Sequence, residues 1–167
     1  MDDIVARSPT TSELLATQRF EFAVKLGELA RLWRAQIDRH LRPLSLSFMQ
    51  WQTLTQLARA DKDPVQKELA AIVGVEGPTM VGVLDRLVER DLVERRVAAH
   101  DRRANTVHLT DGGNAILGLA EVELHKLRDV LLADLSGEEL DICIRVFGYV
   151  SVEARAFDPE TAGTAES

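Results

Sequence analysis

The chain has 167 residues, which is enough for one domain with a hydrophobic core. Apolar residues make up 46% of it and charged residues 28%, as is typical of a globular protein. No run of 18 apolar residues exists, and the start Met1, Asp2, Asp3 lacks the basic and apolar regions of a signal peptide. The single cysteine excludes an internal disulfide framework, so the sequence predicts a protein of the reducing cytoplasm without a membrane span.

The net charge of −7 at first argues against a nucleic-acid partner. Residues 134–167, however, hold eight acidic residues against two arginines, a net charge of −6, which leaves −1 for residues 1–133. Net charge governs solubility and non-specific binding, so a local basic patch can still bind DNA.

The N-terminal half begins with a polar, aperiodic stretch, residues 1–12, that predicts a loose arm. Residues 13–41 repeat apolar side chains every three or four positions, which predicts a long helix that Pro43 ends. The segment "SFMQWQTLTQLARA" predicts a second helix, because its first serine and a glutamine three residues on have capping-box spacing. We expect its inward face to consist of Phe48, Trp51, Leu54, Leu57 and Ala58.

Two short helices then follow across a tight turn. In "DKDP", Asp63 is predicted to cap the third helix and Pro64 to occupy its first position, where no amide donor is needed. That helix ends at Gly74, and Pro78 opens a fourth one, "PTMVGVLDRLVERDL". This arrangement predicts a helix-turn-helix.

The apolar period changes from 3.6 to 2 in "LVERRV" and "TVHLT", which predicts a β-hairpin with residues 98–105 as its connection. A helix-turn-helix followed by a hairpin is a winged helix-turn-helix, whose second helix enters the major groove. Arg102 and Arg103 at the hairpin tip then suit the negative potential of a narrow minor groove, and Asp101 can hold one guanidinium in place. The alternative is a solvated turn whose charges bind nothing.

Two further helices are predicted, one beyond Thr110 to about residue 133 and one over about 137–156, the latter with a Ser136 and Glu139 capping box. The first has apolar landmarks at Ile116, Leu119, Leu127 and Val130. Residues 158–167 read as a disordered tail.

The expected fold class is therefore mainly α with a small β-hairpin wing. A winged helix-turn-helix lobe covers 47–110, and a helical dimerisation region comes from both chain ends, 13–46 and 111–157. The apolar stripes of the first and last helices are too long to be covered by such a lobe. Their length therefore favours a twofold homodimer that buries them.

On the fourth helix, Val81, Leu84, Leu87 and Val88 are predicted to face inward. The side predicted to face the groove consists of Pro78, Thr79, Gly82, Val83 and Arg86. At the start of the third helix, Gln66 and Lys67 are candidates for phosphate contacts, the alternative being solvated surface residues.

The segment "QKELAAIVGVEGPTMVGVLDRLVERDLVERRVAAHDRRANTVHLTDGG" resembles the core of the MarR family of bacterial transcriptional regulators, including its D-R-R…L-T wing. "LARLWRAQIDRHLRPLSLSFMQWQTL" is similar to the SlyA branch, and the resemblance covers residues 22–156. It implies a homodimer with interlocked terminal helices on a palindromic operator, most often a repressor released by a small aromatic or phenolic carboxylate. SlyA-like proteins often have arginine in place of Gly82, so base discrimination is expected to depend more on Thr79, Arg86 and DNA shape.

The family's ligand site lies between the dimer helices and the DNA-binding lobe. Side chains that could build such a site combine flat apolar area with cations for a carboxylate. They are Arg31, Trp33, Arg34, Ile37, His40, Met49 and Trp51. The alternative is that the tryptophans are ordinary core and that the arginines snorkel.

Other chemistries find less support in the sequence. Cys143 lies on an apolar stripe without a positive neighbour, which favours a buried structural thiol. His100, Asp101 and His108 lack the usual zinc-ligand spacing, so neither a metal nor a cofactor is expected. No nucleophile elbow, phosphate loop or zinc-hydrolase motif appears, which argues against an enzyme. The runner-up functions are a helical interaction module that does not bind DNA and a MarR-type activator; steep salt dependence would identify DNA binding.

Overall fold

The computed structural model of the chain describes residues 10–97 and 105–157, and it divides the chain into two compact units, residues 1–127 and 128–167. In the described residues the mainly helical, winged-helix class is confirmed. The helices are α1 (Thr11–Leu41), α2 (Phe48–Arg59), α3 (Gln66–Val73), α4 (Gly77–Glu89), α5 (Asp111–Leu131) and α6 (Gly137–Ala156). A short 3-10 helix, Arg42–Leu44, follows α1, and an antiparallel hairpin of β1 (Val93–Val97) and β2 (Asn105–Leu109) follows α4. No described helix is long and apolar enough to cross a bilayer.

Capping boxes begin α1, α2 and α6. The two predicted ones, at Ser47 and Ser136, are confirmed. The third was missed: Thr10 caps α1, so the helix includes two residues that the sequence assigned to the arm.

The caps of α1 and α6 also lower the pKa values of the glutamates that take part in them. The backbone amide and hydroxyl of Thr10 donate to Glu13 and lower the pKa of its carboxyl group. The hydroxyl and amide of Ser136 lower the pKa of Glu139 in the same way. Because both pKa values are lowered by folding, these caps stabilise the helix ends above the ordinary carboxyl pKa and weaken as the pH falls through the lowered values.

The start of α3 differs from the prediction. Val65, and not Asp63, is the N-cap residue, and the Glu68 carboxylate accepts a hydrogen bond from the Val65 amide at 3.1 Å. The preceding backbone is extended because it pairs with β2. The Val107 amide donates to the Pro64 carbonyl at 3.0 Å, and Val65 forms an antiparallel bridge with Thr106. Pairing with the hairpin therefore delays the helix by two residues.

The core of the first unit joins the end of α1, helices α2 to α5 and the hairpin. Its largest fully buried side chains are Leu41, Leu54, Leu69, Met80, Leu84, Leu87, Leu124, Val93, Val107 and Thr53. Ala58, expected to face inward on α2, is exposed. On α5, Leu119 and Val130 are also exposed, because Leu117, Ala120 and Leu124 form the buried line beside Leu127.

Helix α6, in the second unit, contains no buried residue. The prediction of a buried structural thiol is therefore wrong for this chain, since Cys143 is exposed. Its apolar neighbours Ile144 and Phe147 are exposed as well.

Gly113 lies where α5 begins against the hairpin, and it is buried. A Cβ at this position would collide with the Leu92 carbonyl oxygen and would lie 2.6 Å from Leu109 Cδ1. Gly118, one and a half turns further along α5, has nothing within 4 Å of a Cβ position.

We expect Gly113→Ala to lower the free energy of unfolding by about 2–3 kcal/mol, because backbone would have to shift. Gly118→Ala is the matched control and should raise it by about 0.5–1 kcal/mol through helix propensity. Urea titration followed by circular dichroism measures both. Equal effects of the two substitutions would contradict the close packing of α5 on the hairpin.

Candidate nucleic-acid interface

The rotation of α4 about its axis is set by four buried side chains. Met80, Leu84 and Leu87 are fully buried, and Val83 is 8% exposed. The outward placement predicted for Val83 is thus wrong: it lies three and four residues from Met80 and Leu87, on the same helix face. Val81 and Val88, predicted to face inward, lie outside this face and are each 39% exposed.

The opposite face of α4 carries most of the residues predicted to meet DNA. Pro78, Thr79 and Arg86 are exposed, and Gly82 is partly exposed. The central line of this face runs, at steps of four and three residues, through Pro78, Gly82, Asp85 and Glu89. Thr79 and Arg86 lie on one side of the line and Val81 and Val88 on the other.

The first backbone amides of α4 precede the hydrogen bonds within the helix. The ladder begins with the bond from the Met80 amide to the Glu76 carbonyl, at 3.1 Å, so the amides of Gly77 and Thr79 precede it. Glu76 makes no side-chain cap, and proline follows Gly77. Such an end carries the positive pole of the helix dipole and suits a phosphate.

Two arginines that the sequence analysis did not single out fix α4 to its surroundings. The Arg95 guanidinium on β1 lies 2.7 Å from the Asp85 carboxylate, which connects the hairpin to the outward side of α4. Arg90 donates to the carbonyls of Leu44 and Ser45, at 3.0 and 2.6 Å, and connects the C-terminal end of α4 to the turn after α1. These are positioning residues, and only the fold shows which partner each one has.

His108 on β2 joins the hairpin to the loop before α3. Its Nδ1 lies 3.0 Å from the Asp63 carboxylate, and its Nε2 lies 2.8 Å from the Thr106 hydroxyl. Arg96 also approaches Nδ1, at 3.4 Å, and forms an ion pair with Glu94. His108 therefore belongs to a network of polar contacts that holds the base of the wing.

The remaining predicted contacts divide between described and undescribed residues. Gln66 is half-buried and Lys67 is exposed in the first turn of α3. Asp101, Arg102 and Arg103, with His100, lie outside the described residues. The strands that lead to them are paired from Val93 with Leu109 to Val97 with Asn105.

The comparisons with known proteins agree on one family. A model of the MarR family matches residues 44–104. The structure of the transcriptional regulator PA3341 shares 35% sequence identity, with a TM-score of 0.73, and the match covers 81% of this chain and 99% of that one. The chain belongs to the MarR family.

Two further structures support the same family. A structure of MarR shares 26% identity with a TM-score of 0.70, covering 81% of this chain and 98% of that one. The M. tuberculosis transcriptional regulator MosR, whose structure is of a complex with DNA, shares 26% identity with a TM-score of 0.63, covering 80% and 97%. The MarR family consists of transcriptional regulators rather than enzymes. The assignment to its SlyA branch stays a prediction.

In this MarR-family chain, the residues predicted to bind an effector lie on α1 and α2. Ile37 is buried, and Trp33, Met49 and Trp51 pack against the same core. Arg31 is exposed, and the His40 ring bonds to the carbonyl of Gln36 at 2.9 Å.

Arg34 and Trp51 both border the Phe48 ring. The Arg34 guanidinium lies 5.4 Å from the centroid of this ring, and the Trp51 ring lies 5.8 Å from it. Thr55, one turn after Trp51, is not among the residues predicted from the sequence. Among the described residues, Trp51 Nε1 and Thr55 Oγ1 are the buried side-chain polar atoms without a hydrogen-bond partner.

Proposed function

We propose that this protein is a DNA-binding transcriptional regulator that acts as a homodimeric repressor on a palindromic operator. The observation that carries the proposal is the outward face of α4, with Thr79 and Arg86 exposed beside a hairpin that Arg95 ties to the same helix. The DNA complex of MosR, a relative of similar fold, supports it. The winged lobe, residues 47–110, binds the duplex, and residues 13–46 and 111–157 form the dimer.

Contacts with the operator are distributed over three elements. The N-terminal half of α4 enters the major groove, where Thr79 touches a phosphate or a base and Arg86 extends from the next turns. Gln66 and Lys67 at the start of α3 contact phosphates. Arg102 and Arg103 enter the minor groove beside the wing, with Asp101 orienting a guanidinium.

Replacing Arg102 and Arg103 together by alanine is expected to reduce operator affinity at least about 100-fold and to flatten its salt dependence, because four cations per dimer are lost. Fluorescence anisotropy over a salt series on DNA upstream of the protein's own gene measures both. The matched control is Lys25→Ala with Lys126→Ala, which removes two exposed cations from α1 and α5. A wing variant that binds as tightly as the control would refute the wing's role.

Dimerisation is supported by the apolar side chains that α1 and α6 expose. On α1 they are Leu14, Leu15, Phe20, Phe22, Val24, Leu29 and Leu32. On α6 they are Ile142, Ile144, Phe147, Tyr149, Val150 and Val152. Apolar surface on this scale marks an interaction site, and a second copy of the same chain is the usual partner of a twofold surface.

We expect Phe22→Glu to weaken the dimer roughly 100-fold, since each interface would bury an unpaired carboxylate. Sedimentation equilibrium measures the dissociation constant of the dimer. Lys62→Glu, at an exposed residue of the winged lobe outside the proposed dimer region, serves as the control and should leave the dimer unchanged. Monomeric wild-type protein at micromolar concentration would contradict the homodimer.

The proposed effector is a small aromatic or phenolic carboxylate bound beside α1 and α2. Its support is the pair of unpartnered buried donors, Trp51 Nε1 and Thr55 Oγ1, on the helix whose Phe48 ring has the Arg34 guanidinium 5.4 Å from its centroid. Two donors and a cation match the oxygens of a carboxylate. An effector that binds more tightly to a dimer whose α4 helices are displaced lowers the affinity of the protein for DNA. The size of this effect is set by the ratio of the effector's affinities for the two states.

Both tryptophans of the chain lie in this region, so intrinsic fluorescence reports effector binding. Benzoate and hydroxybenzoates are the probes. Trp51→Phe, which keeps an aromatic ring but loses the N–H donor, should weaken binding about tenfold. Trp33→Phe is the matched comparison: it also keeps an aromatic ring, but the N–H that it loses is not one of the two unpartnered buried donors, so binding should stay within a few-fold of wild type. Equal loss in both variants, or no fluorescence change in wild type, would contradict the site.

A further inference from the structure

The first two turns of α4 present an outward surface with almost no hydrogen-bonding capacity. Residues 77–84 read GPTMVGVL, and Thr79 is the one side chain among them that can donate or accept a hydrogen bond. Arginine, lysine, asparagine and glutamine, which make the paired hydrogen bonds to purines, are absent from this stretch. What remains outward is the Pro78 ring, the methyl groups of Val81 and the bare backbone at Gly82.

Gly82 is not required by the protein's own packing. It lies in the interior of α4, where glycine is the least favourable residue after proline. Nothing lies within 4 Å of a Cβ built on it, and it does not have the positive φ that Gly74 has. The open space in front of Gly82 is therefore available to a group outside the chain.

We infer that this surface recognises thymine methyl groups, with one methyl seated on the Gly82 backbone beside Pro78. The inference rests on the DNA-binding function proposed above. In the major groove the C5-methyl of thymine is the apolar group that distinguishes one base pair from another. A surface of apolar atoms with one hydroxyl can therefore select A·T pairs, and a missing side chain allows the helix backbone to approach a methyl closely.

The charges on α4 restrict this contact to its N-terminal half. Asp85 and Glu89 continue the line of Pro78 and Gly82 toward the C-terminus, where their carboxylates disfavour the approach of phosphates. Asp85 is also held by Arg95 at 2.7 Å. The apolar surface at the start of α4 thus coincides with the positive end of the helix dipole, which draws that end toward the duplex.

The test uses a duplex operator selected from random sequences by the wild-type protein, with thymines replaced by uracil at single positions of both half-sites. Uracil keeps every hydrogen bond of thymine and lacks only the methyl. We expect affinity to fall about fourfold for each methyl lost, the value of burying one such group, and roughly fifteenfold for the symmetric pair. A duplex with uracil at every thymine position that binds as tightly as the original would overturn the inference.

Gly82→Ala supplies the second measurement. The added methyl group occupies the thymine position, so affinity for the thymine duplex should fall about tenfold or more, and the loss should be smaller on the duplex with uracil at the matching position. The melting temperature should rise by about 2–3 °C, because alanine favours the helix, which separates the binding defect from misfolding. Gly118→Ala, at an equally open helical position, should raise the melting temperature similarly.

A Gly82→Ala variant that binds the thymine duplex as tightly as wild type would also overturn the inference. Failure of the wild-type protein to bind any duplex at low salt would overturn the proposed function and this inference together. Tight, salt-sensitive binding that is unchanged when uracil replaces thymine would overturn this inference and leave the proposed function intact.

Discussion

The burial of one face of α4 is the constraint on which the rest of the proposed interface depends. A helix of 13 residues is marginal by itself in water, so α4 is stable because Met80, Leu84 and Leu87 are fully buried. The same three side chains fix its rotation. Turning the helix by one residue, about 100°, would move Gly82 into the buried position of Val83 and Leu84 into the exposed position of Asp85, and no contact proposed for the outward face would survive.

The hairpin is held by two kinds of contact that serve different purposes. Val93 and Val107 are buried in the core and supply most of the stabilisation. The ion pair of Arg95 with Asp85 is partly exposed, and such pairs contribute only about 0–1 kcal/mol. Its effect is on orientation, because it fixes the direction in which the hairpin lies relative to α4. The wing can thus be aimed without adding much to its stability.

Much of this fold follows from local sequence signals. Capping boxes at Ser47 and Ser136, the glycine that ends α3 and the change of period at Val93 identify their elements without knowledge of the tertiary structure. The start of α3 does not, because Pro64 and Val65 pair with Val107 and Thr106, which lie 43 and 41 residues further along the chain. The preference of aspartate for helix N-caps is a local signal, so it cannot reveal pairing with a strand so distant in sequence.

The candidate site was predictable in outline but not in detail. Thr79 and Arg86 were placed correctly because polar residues have one acceptable side of an amphipathic helix. Val81 and Val83 were exchanged because periodicity gives the direction of an apolar stripe but not its edges. For α6 the limit is different: its stripe has the same period whether it packs within one chain or against another, so the exposure of Cys143 was not visible in the sequence.

Packing connects the proposed effector region to α4. Ile37 on α1 belongs to the same cluster of buried residues as Met80 and Leu84 on α4, with Leu54 of α2 in the cluster as well. Close-packed interiors transmit displacements because they contain few voids that could absorb them. A ligand that shifts Trp51 on α2 would therefore act on the side chains that fix the rotation of α4. In the proposed homodimer a small rotation would suffice for release, because the two α4 helices would have to meet two half-sites one helical turn apart, roughly 34 Å, at once.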